Sequence, residues 1–239
     1  MAFRPTAPPP QPEWLRDVPH GRVLAFAPHP DDEVAGPGGC LALHRRSGDA
    51  VRVVVATTGA AGDPEQRFAL DGYAERRERE SRAGLAELGV DDVVYWRMPD
   101  NMVLSASDYE WGHQLAAQAI AEFRPDIVYL PWEAEGHPDH HALFLIVGEG
   151  LQRTAFAGQA LGYEVWNAMV PDVVVDITAV EQQKRRAIRA HASQTAYVDF
   201  EHTILGLNAY RSMVHARGQG YCEAFRRLSQ HVLPTSLSM

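Results

Sequence analysis

The sequence predicts an α/β sandwich, with a mostly parallel sheet between two layers of helices, on three observations. Short apolar runs of strand length alternate along the chain with longer stretches of helical periodicity. Gly, Pro and Asp punctuate the junctions, and no segment repeats. Two of the apolar runs lead straight into clusters of His and Asp, and an open α/β sheet builds its site at the C-terminal ends of its strands.

The elements follow in order. Residues 23–27, Val-Leu-Ala-Phe-Ala, are apolar without interruption, as a strand covered on both faces must be. A helix is expected over 38–47 and a second strand over 51–56. The helix expected over 73–88 ends at Gly89, where a left-handed residue would terminate it. A strand over 93–95 and a helix over 109–123 come next, and Pro125-Asp126 separates that helix from a strand over 127–130. Pro138 suits the first position of a helix over 139–153, where its missing N–H costs nothing. Strands over 163–166 and 173–177 and helices over 179–192 and 204–216 complete the alternation.

With 239 residues the chain suffices for one well-buried core. It divides into an extended, proline-rich N-terminal arm over 1–20 and a single domain over 21–239. A net charge of −9 offers no basic stripe to replace phosphate counterions, which argues against nucleic acid as a partner. The densest cations, Arg76, Arg77, Arg79 and Arg82, are interleaved with glutamates and read as a salt-bridged helix face. Cys40 and Cys222 alone make neither a disulfide framework nor a thiolate metal site, so any metal must take nitrogen and oxygen ligands. No apolar run approaches the roughly 20 residues that span a bilayer, and the N-terminus lacks the apolar core of a secretory signal. A cytoplasmic location is the resulting expectation.

The chemistry concentrates in His29-Pro30-Asp31-Asp32-Glu33 and His137-Pro138-Asp139-His140-His141. A catalytic zinc commonly takes three protein ligands and leaves a position for water. A turn leaving the first strand can aim His29 and Asp32 at one point, leaving Asp31 free to face that water. His140 would supply the third ligand from the other strand's end, with His137 close enough to reach the same cavity. Taken singly, the acidic run could merely cap a helix, and the histidine cluster could be a surface turn. Two such clusters, each after a buried strand, favour a metal site. His44, His113, His202 and His215 lack such partners and read as structural or surface residues.

The chain resembles the PIG-L/LmbE-like family of zinc-dependent de-N-acetylases. The resemblance rests on the two clusters above, on the loop Thr57-Thr58-Gly59-Ala60-Ala61-Gly62-Asp63, and on Arg77 with Glu80 before Leu88-Gly89. Lys184, His191-Ala192-Ser193-Gln194 and Glu223-Ala224-Phe225 add to it. It implies a Rossmann-like three-layer sandwich in which His29, Asp32 and His140 hold the metal and Asp31 is the general base. His137 would be a general acid or oxyanion donor oriented by Asp139, and Arg77 would contact the substrate. Pro28 stands where the family usually has alanine, which tightens the backbone and removes no ligand. The cofactor implied is a single Zn2+ per chain, although two imidazoles and a carboxylate can also hold iron, cobalt or nickel.

The function implied is hydrolysis of an N-acetyl group from an N-acetylglucosamine-containing small molecule, releasing acetate and a free amine. The same family also covers zinc-dependent hydratases of unsaturated dicarboxylic acids, which would need cations for the carboxylates; Arg77 and Arg97 are the candidates. A non-catalytic module of the same fold would have no reason to keep all five of His29, Asp31, Asp32, His137 and His140. Assembly into a homo-oligomer is common among resembling proteins, and the N-terminal arm could contribute a contact. Trp132, Trp166 and Tyr197 are candidates to stack on a sugar, though aromatic residues more often belong to cores.

Overall fold

All five side chains of Val23–Ala27 (β2) are buried, as they must be in a parallel sheet covered on both faces. In the computed structural model, which describes residues 11–69, 71–101 and 104–228, β2 pairs in parallel with Val51–Thr57 (β3) and Ile127–Pro131 (β5). Asp92–Met98 (β4) extends the sheet beyond β3, and Gln159–Tyr163 (β6) extends it beyond β5. Cys222–Arg227 (β8) then runs antiparallel between β6 and Val173–Asp176 (β7), and Glu13–Leu15 (β1) closes the edge parallel to β7. The order is β1-β7-β8-β6-β5-β2-β3-β4, so the mostly parallel sheet expected from the sequence is present.

Side-chain alternation along β2 builds the two outer layers. Val23, Ala25 and Ala27 join one core with Leu41 of Gly38–Arg46 (α2), Leu85 of Tyr73–Glu87 (α3) and Ile188 of Glu181–Arg189 (α6). Leu24 and Phe26 join the other with Ile120 of Ala106–Phe123 (α4) and Ile146 of Pro138–Arg153 (α5). Helices α4 and α5 approach so closely that a Cβ on Gly150 would lie 2.7 Å from that of Ala116. From β2 the chain winds through β3 and β4 to one side, and from β5 through β6 to the other. The gap between the C-terminal ends of β2 and β5 is therefore the switch point at which such sheets bind ligands.

Several elements depart from the sequence expectation. The strand expected over 163–166 lies at Gln159–Tyr163, because beyond Tyr163 the backbone turns away from the sheet. There the amides of Val165, Trp166 and Asn167 donate to the Glu135 carboxylate rather than to a neighbouring strand. Within the segment read as an arm, Glu13–Leu15 is an edge strand; residues 1–10 lie outside the described residues. The helix expected over 179–192 divides at His191 into α6 and the single turn Ala192–Thr195 (α7). The last helix is Phe200–Arg211 (α8), starting earlier than expected because Asp199 caps it by accepting from the His202 amide at 3.0 Å. Strand β8 was not foreseen. Among the described residues no helix is long and apolar enough to cross a membrane.

One buried ion pair ties these parts to the site. Lys184 on α6 donates to Glu223 on β8 at 2.6 Å and to the carbonyls of Ala35 and Gly36 at 2.8 and 3.1 Å. Glu223 also accepts from the amides of Gly39 and Cys40 at the start of α2. Both side chains are almost wholly buried, so each satisfies a charge that would otherwise be stranded. Lys184→Met or Glu223→Gln alone should lower unfolding stability by about 3–5 kcal/mol. The double variant should lose less than the sum of the two, and denaturant titration of all three proteins checks this.

Candidate metal centre

The turn after β2 aims two side chains at one point. The amides of Asp31 and Asp32 both donate to His29 O, reversing the chain into the short helix Asp32–Ala35 (α1). The reversal lets Asp32 Oδ2 accept from the His29 amide and lie 3.0 Å from His29 Nδ1. Asp31 occupies the N-cap of α1, yet its side chain caps nothing; it accepts instead from the Arg77 guanidinium at 3.1 Å. The acidic run is thus not simply a helix cap.

The loop after β5 approaches from the other side of the switch point. His137 is the N-cap of α5, its Nδ1 accepting from the Asp139 amide at 3.2 Å, with Pro138 at the start of the helix as expected. One turn on, His140 is fully buried, with Nε2 3.2 Å from Asp32 Oδ2 and Nδ1 3.1 Å from Glu135 Oε2. Neither contact has hydrogen-bond geometry, so both ring nitrogens of this buried imidazole lack a conventional partner. The ligand atoms of His29, His137 and His140 lie within 4.8 Å of one another. Donors on a tetrahedral ion with bonds of ~2.0–2.1 Å sit about 3.3 Å apart. The 3.0 and 3.2 Å separations around Asp32 match that spacing, so the donor set suits a divalent metal ion.

Further carboxylates brace these groups from outside. Asp139 Oδ2 lies 2.9 Å from His29 Nε2 and accepts from the Asn101 amide; Asp139 thus meets His29 with its side chain and His137 with its backbone. Glu33 accepts from the Asp31 amide at 2.8 Å and from Ser81 at 2.5 Å. Arg77, on α3, is buried, its guanidinium donating to Pro30 O and Gly59 O as well as to Asp31. Gly59 has a φ of +67°, and a Cβ there would come within 2.9 Å of that guanidinium, so the loop needs glycine. Glu80 pairs with Arg76 and with Ser193, not with Arg77.

Electrostatics reflect the crowding of acids. Burial opposes charge on His29, but Asp139 and Asp32 overcome it and raise its pKa to about 10. Burial likewise opposes charge on His140, and Asp32 and Glu135 carry it up to about 9. Asp32 is held well below the usual carboxylate range by the two imidazoles despite its burial. Burial pushes Asp31 up to about 6, with Arg77 pulling against it. His137 is lowered by burial and by its two imidazole neighbours. The carboxylates thus demand positive charge at the point where the imidazoles meet, and a divalent cation would supply it.

A cavity of about 540 Å³ opens over this cluster, bordered by His29, Asp31, Asp32, His137 and Asp139. Arg77, Asp100 and the loop Gly59–Gly62 also border it, as does Gln194, whose amide donates to Gly62 O and is linked to Tyr73. The structure therefore brings together all seven residues singled out from the sequence. It adds Glu135, Glu33 and Asp100, the last accepting from the amides of Gly59 and Ala61. Glu135, two positions before His137, carried a signal in its spacing; Asp100 carried none. His44 is buried between Asp49 and Tyr129 as a structural residue, and Trp166 leans on His137 at 5.5 Å between ring centroids.

An α/β fold with this cluster at its switch point suits metal-dependent catalysis. Residues 24–149 match the GlcNAc-PI de-N-acetylase (PIG-L) family, and the chain belongs to that family. The diacetylchitobiose deacetylase of Thermococcus kodakarensis is 31% identical over 195 residues, covering 72% of this chain and 70% of that protein. Among solved structures, the N,N'-diacetylchitobiose deacetylase of Pyrococcus horikoshii superposes with a TM-score of 0.75 at 24% identity, covering 91% of this chain and 87% of that one. The 4-carboxy-2-hydroxymuconate hydratase of Pseudomonas putida shares the fold at a TM-score of 0.72 and 20% identity, covering 91% and 99%.

His191, buried beside Glu33 with Nε2 3.9 Å from Oε1, gives a prediction about acid stability. Burial, with the charge of Arg77, lowers its pKa to about 3. Between pH 6.5 and about 3 the unfolded chain binds a proton there that the folded chain refuses, so stability falls as pH falls through that window. The contribution approaches about 1.4 kcal/mol per pH unit. His191→Gln should remove that part of the slope, as read from urea titrations at pH 4, 5, 6 and 7.

Proposed function

We propose that the chain is a zinc-dependent deacetylase that hydrolyses the acetamide of an N-acetylglucosamine-containing small molecule, releasing acetate and the free amine. The observation that carries this reading is that Asp32 Oδ2 lies 3.0 Å from His29 Nδ1 and 3.2 Å from His140 Nε2 beside a cavity that Asp31 and His137 also border. Family membership and the named activity of the Thermococcus relative support the acetamide as the bond cleaved. Zinc is the reading for the metal because two imidazoles and a carboxylate, with a position left for water, are a common catalytic zinc set. A cytoplasmic location accords with the two unpaired cysteines.

In this reading His29, Asp32 and His140 hold the ion, which supplies Lewis acidity for the amide carbonyl and activates water. Asp31 takes the proton from the attacking water as general base. Arg77 serves chiefly to fix the Asp31 carboxylate, since its donors reach Asp31, Pro30 and Gly59. His137 faces the oxygen that gains charge and donates to it, a contribution of about 3–4 kcal/mol for one well-placed donor. The amine nitrogen takes up the proton that Asp31 accepted from the water as the C–N bond breaks, which returns Asp31 to its carboxylate form. Asp139 orients His29 through Nε2, and Glu135, 3.1 Å from His140 Nδ1, stands where the outer carboxylate of a metal-bound imidazole would.

The hydratase alternative needs free cations for a dicarboxylate. Among the described residues Arg77 is the one Lys or Arg bordering the cavity, and it is engaged by Asp31. Arg97, the other candidate, is exposed and paired with Glu78. The amidase reading is therefore favoured. Incubation with N-acetylglucosamine conjugates should release acetate and amine, while loss of alkene absorbance from an unsaturated dicarboxylate with no acetate release would overturn it.

Two variants separate the roles. Asp31→Asn should retain its zinc, measured by elemental analysis, and lose about 10²–10⁴-fold in kcat. Glu135→Gln should weaken zinc affinity about 10–100-fold in competition with a chelator, because His140 loses the carboxylate charge beside its Nδ1.

A further inference from the structure

The outer half of the cavity has a chemistry unlike the inner half. Beyond His137 its wall is Val165, Trp166, Val198, Phe200, Ile204 and Leu207. Phe200, Ile204 and Leu207 recur at helical spacing, so α8 turns a mainly apolar face to the cavity, with Thr203 beside them donating its hydroxyl to Asp199 O. Trp166 is 64% exposed and Val198 42%, although large apolar side chains at a cavity mouth cost solvation unless something covers them. Tyr210, one turn beyond Leu207 on α8, is also exposed.

Charge points the same way. Four carboxylates, those of Asp31, Asp32, Asp100 and Asp139, border the cavity, and Arg77, among the described residues the one Lys or Arg there, is committed to Asp31. A phosphorylated or carboxylated aglycone would find no uncommitted Lys or Arg among the described residues bordering the cavity, and would set its charge against apolar side chains at the outer end. A bare sugar would leave the outer wall wet.

We propose that the Val165–Trp166 loop and the Phe200/Ile204/Leu207 face of α8 form a subsite for an uncharged, apolar aglycone, so that the substrate is an N-acetylglucosaminide of an alkyl or aryl alcohol or a similarly apolar conjugate. The proposal rests on the deacetylase reading for the reaction, but the subsite can be measured without it. The Trp166 ring, leaning on His137, marks where the acetamido sugar ends and the aglycone begins.

The test is a series of methyl, butyl, hexyl and octyl N-acetyl-β-D-glucosaminides with the zinc-loaded protein, together with a chain of hexyl length ending in a carboxylate. Each buried methylene is worth roughly a threefold to fourfold gain, so kcat/KM should climb steeply with chain length until the wall is filled. The carboxylate-ended chain should lose that gain. In Leu207→Asn the slope of log kcat/KM against chain length should fall by at least half. In parallel, calorimetry with the corresponding deacetylated alkyl glucosaminides reads binding alone and should show the same dependence on length. Acetate release with no dependence on chain length would overturn the subsite and leave the deacetylase reading standing. Length-dependent binding without acetate release would overturn the deacetylase reading and support the subsite. Flat binding across the alkyl series, or a gain from the terminal carboxylate, overturns the subsite whatever the turnover.

Discussion

The parallel pairing of β2 with β5 is the constraint on which the site depends. Val23 lies opposite Ile127 and Ala25 opposite Tyr129, so the turns leaving the two strands emerge side by side. Residues more than a hundred positions apart then share one carboxylate, Asp32 Oδ2, with His29 at 3.0 Å and His140 at 3.2 Å. A register shift of one residue would reverse the facing of every side chain on β5, exchanging those of one core with those of the other. The hydrophobic cores on the two faces therefore hold the geometry of the polar cluster, although none of their residues takes part in its chemistry.

Around that shared carboxylate the molecule accepts a dense set of buried charges and satisfies nearly every one of them in pairs. Arg77 answers Asp31, Lys184 answers Glu223, and Ser81 and a backbone amide answer Glu33. Burying an ion is costly enough that such pairs rarely add net stability. Their value here is positional: Lys184 and Glu223 grip the carbonyls of Ala35 and Gly36 and the amides of Gly39 and Cys40, which fixes the exit of α1. The turn carrying Asp31 and Asp32 is thus clamped by Arg77 on one side and by the Lys184 pair on the other.

Much of this was legible in the sequence, for identifiable reasons. Uninterrupted apolar runs gave away β2, β3 and β5, because a strand covered on both faces has no polar positions to confuse the pattern. The ligand clusters were legible because they lie in the connections that leave β2 and β5. Strand β6 was displaced because its own residues, Gln-Ala-Leu-Gly-Tyr, look unlike a strand, whereas the adjoining Val165-Trp166 look more like one. What decides the matter is the Glu135 carboxylate collecting the amides of Val165, Trp166 and Asn167, a contact across thirty residues that local pattern does not encode. Strand β8 escaped for a related reason: it is six residues long, ends in two arginines and draws its stability from antiparallel neighbours on both sides. Arg77 borders the cavity, but its partner is not one of the glutamates interleaved with it on the helix, since Asp31 reaches it only through the tertiary fold.

Glu135 also joins the two halves of the cavity physically. One of its oxygens lies 3.1 Å from His140 Nδ1, while the carboxylate anchors the loop that carries Trp166. The residue that orients an inner imidazole therefore also sets the position of the outer wall, and the two cannot move independently. The inner half is built from strand ends and the first turn of α5, where sheet pairing limits movement. The outer half is built from a loop and from α8, where Trp166 and Leu207 stand outside the two hydrophobic cores, whereas Ile204 belongs to the core that covers β2 and β5. Such a division lets one metal-binding core serve different aglycones, with the Glu135 carboxylate keeping each new wall in register with the chemistry beneath it.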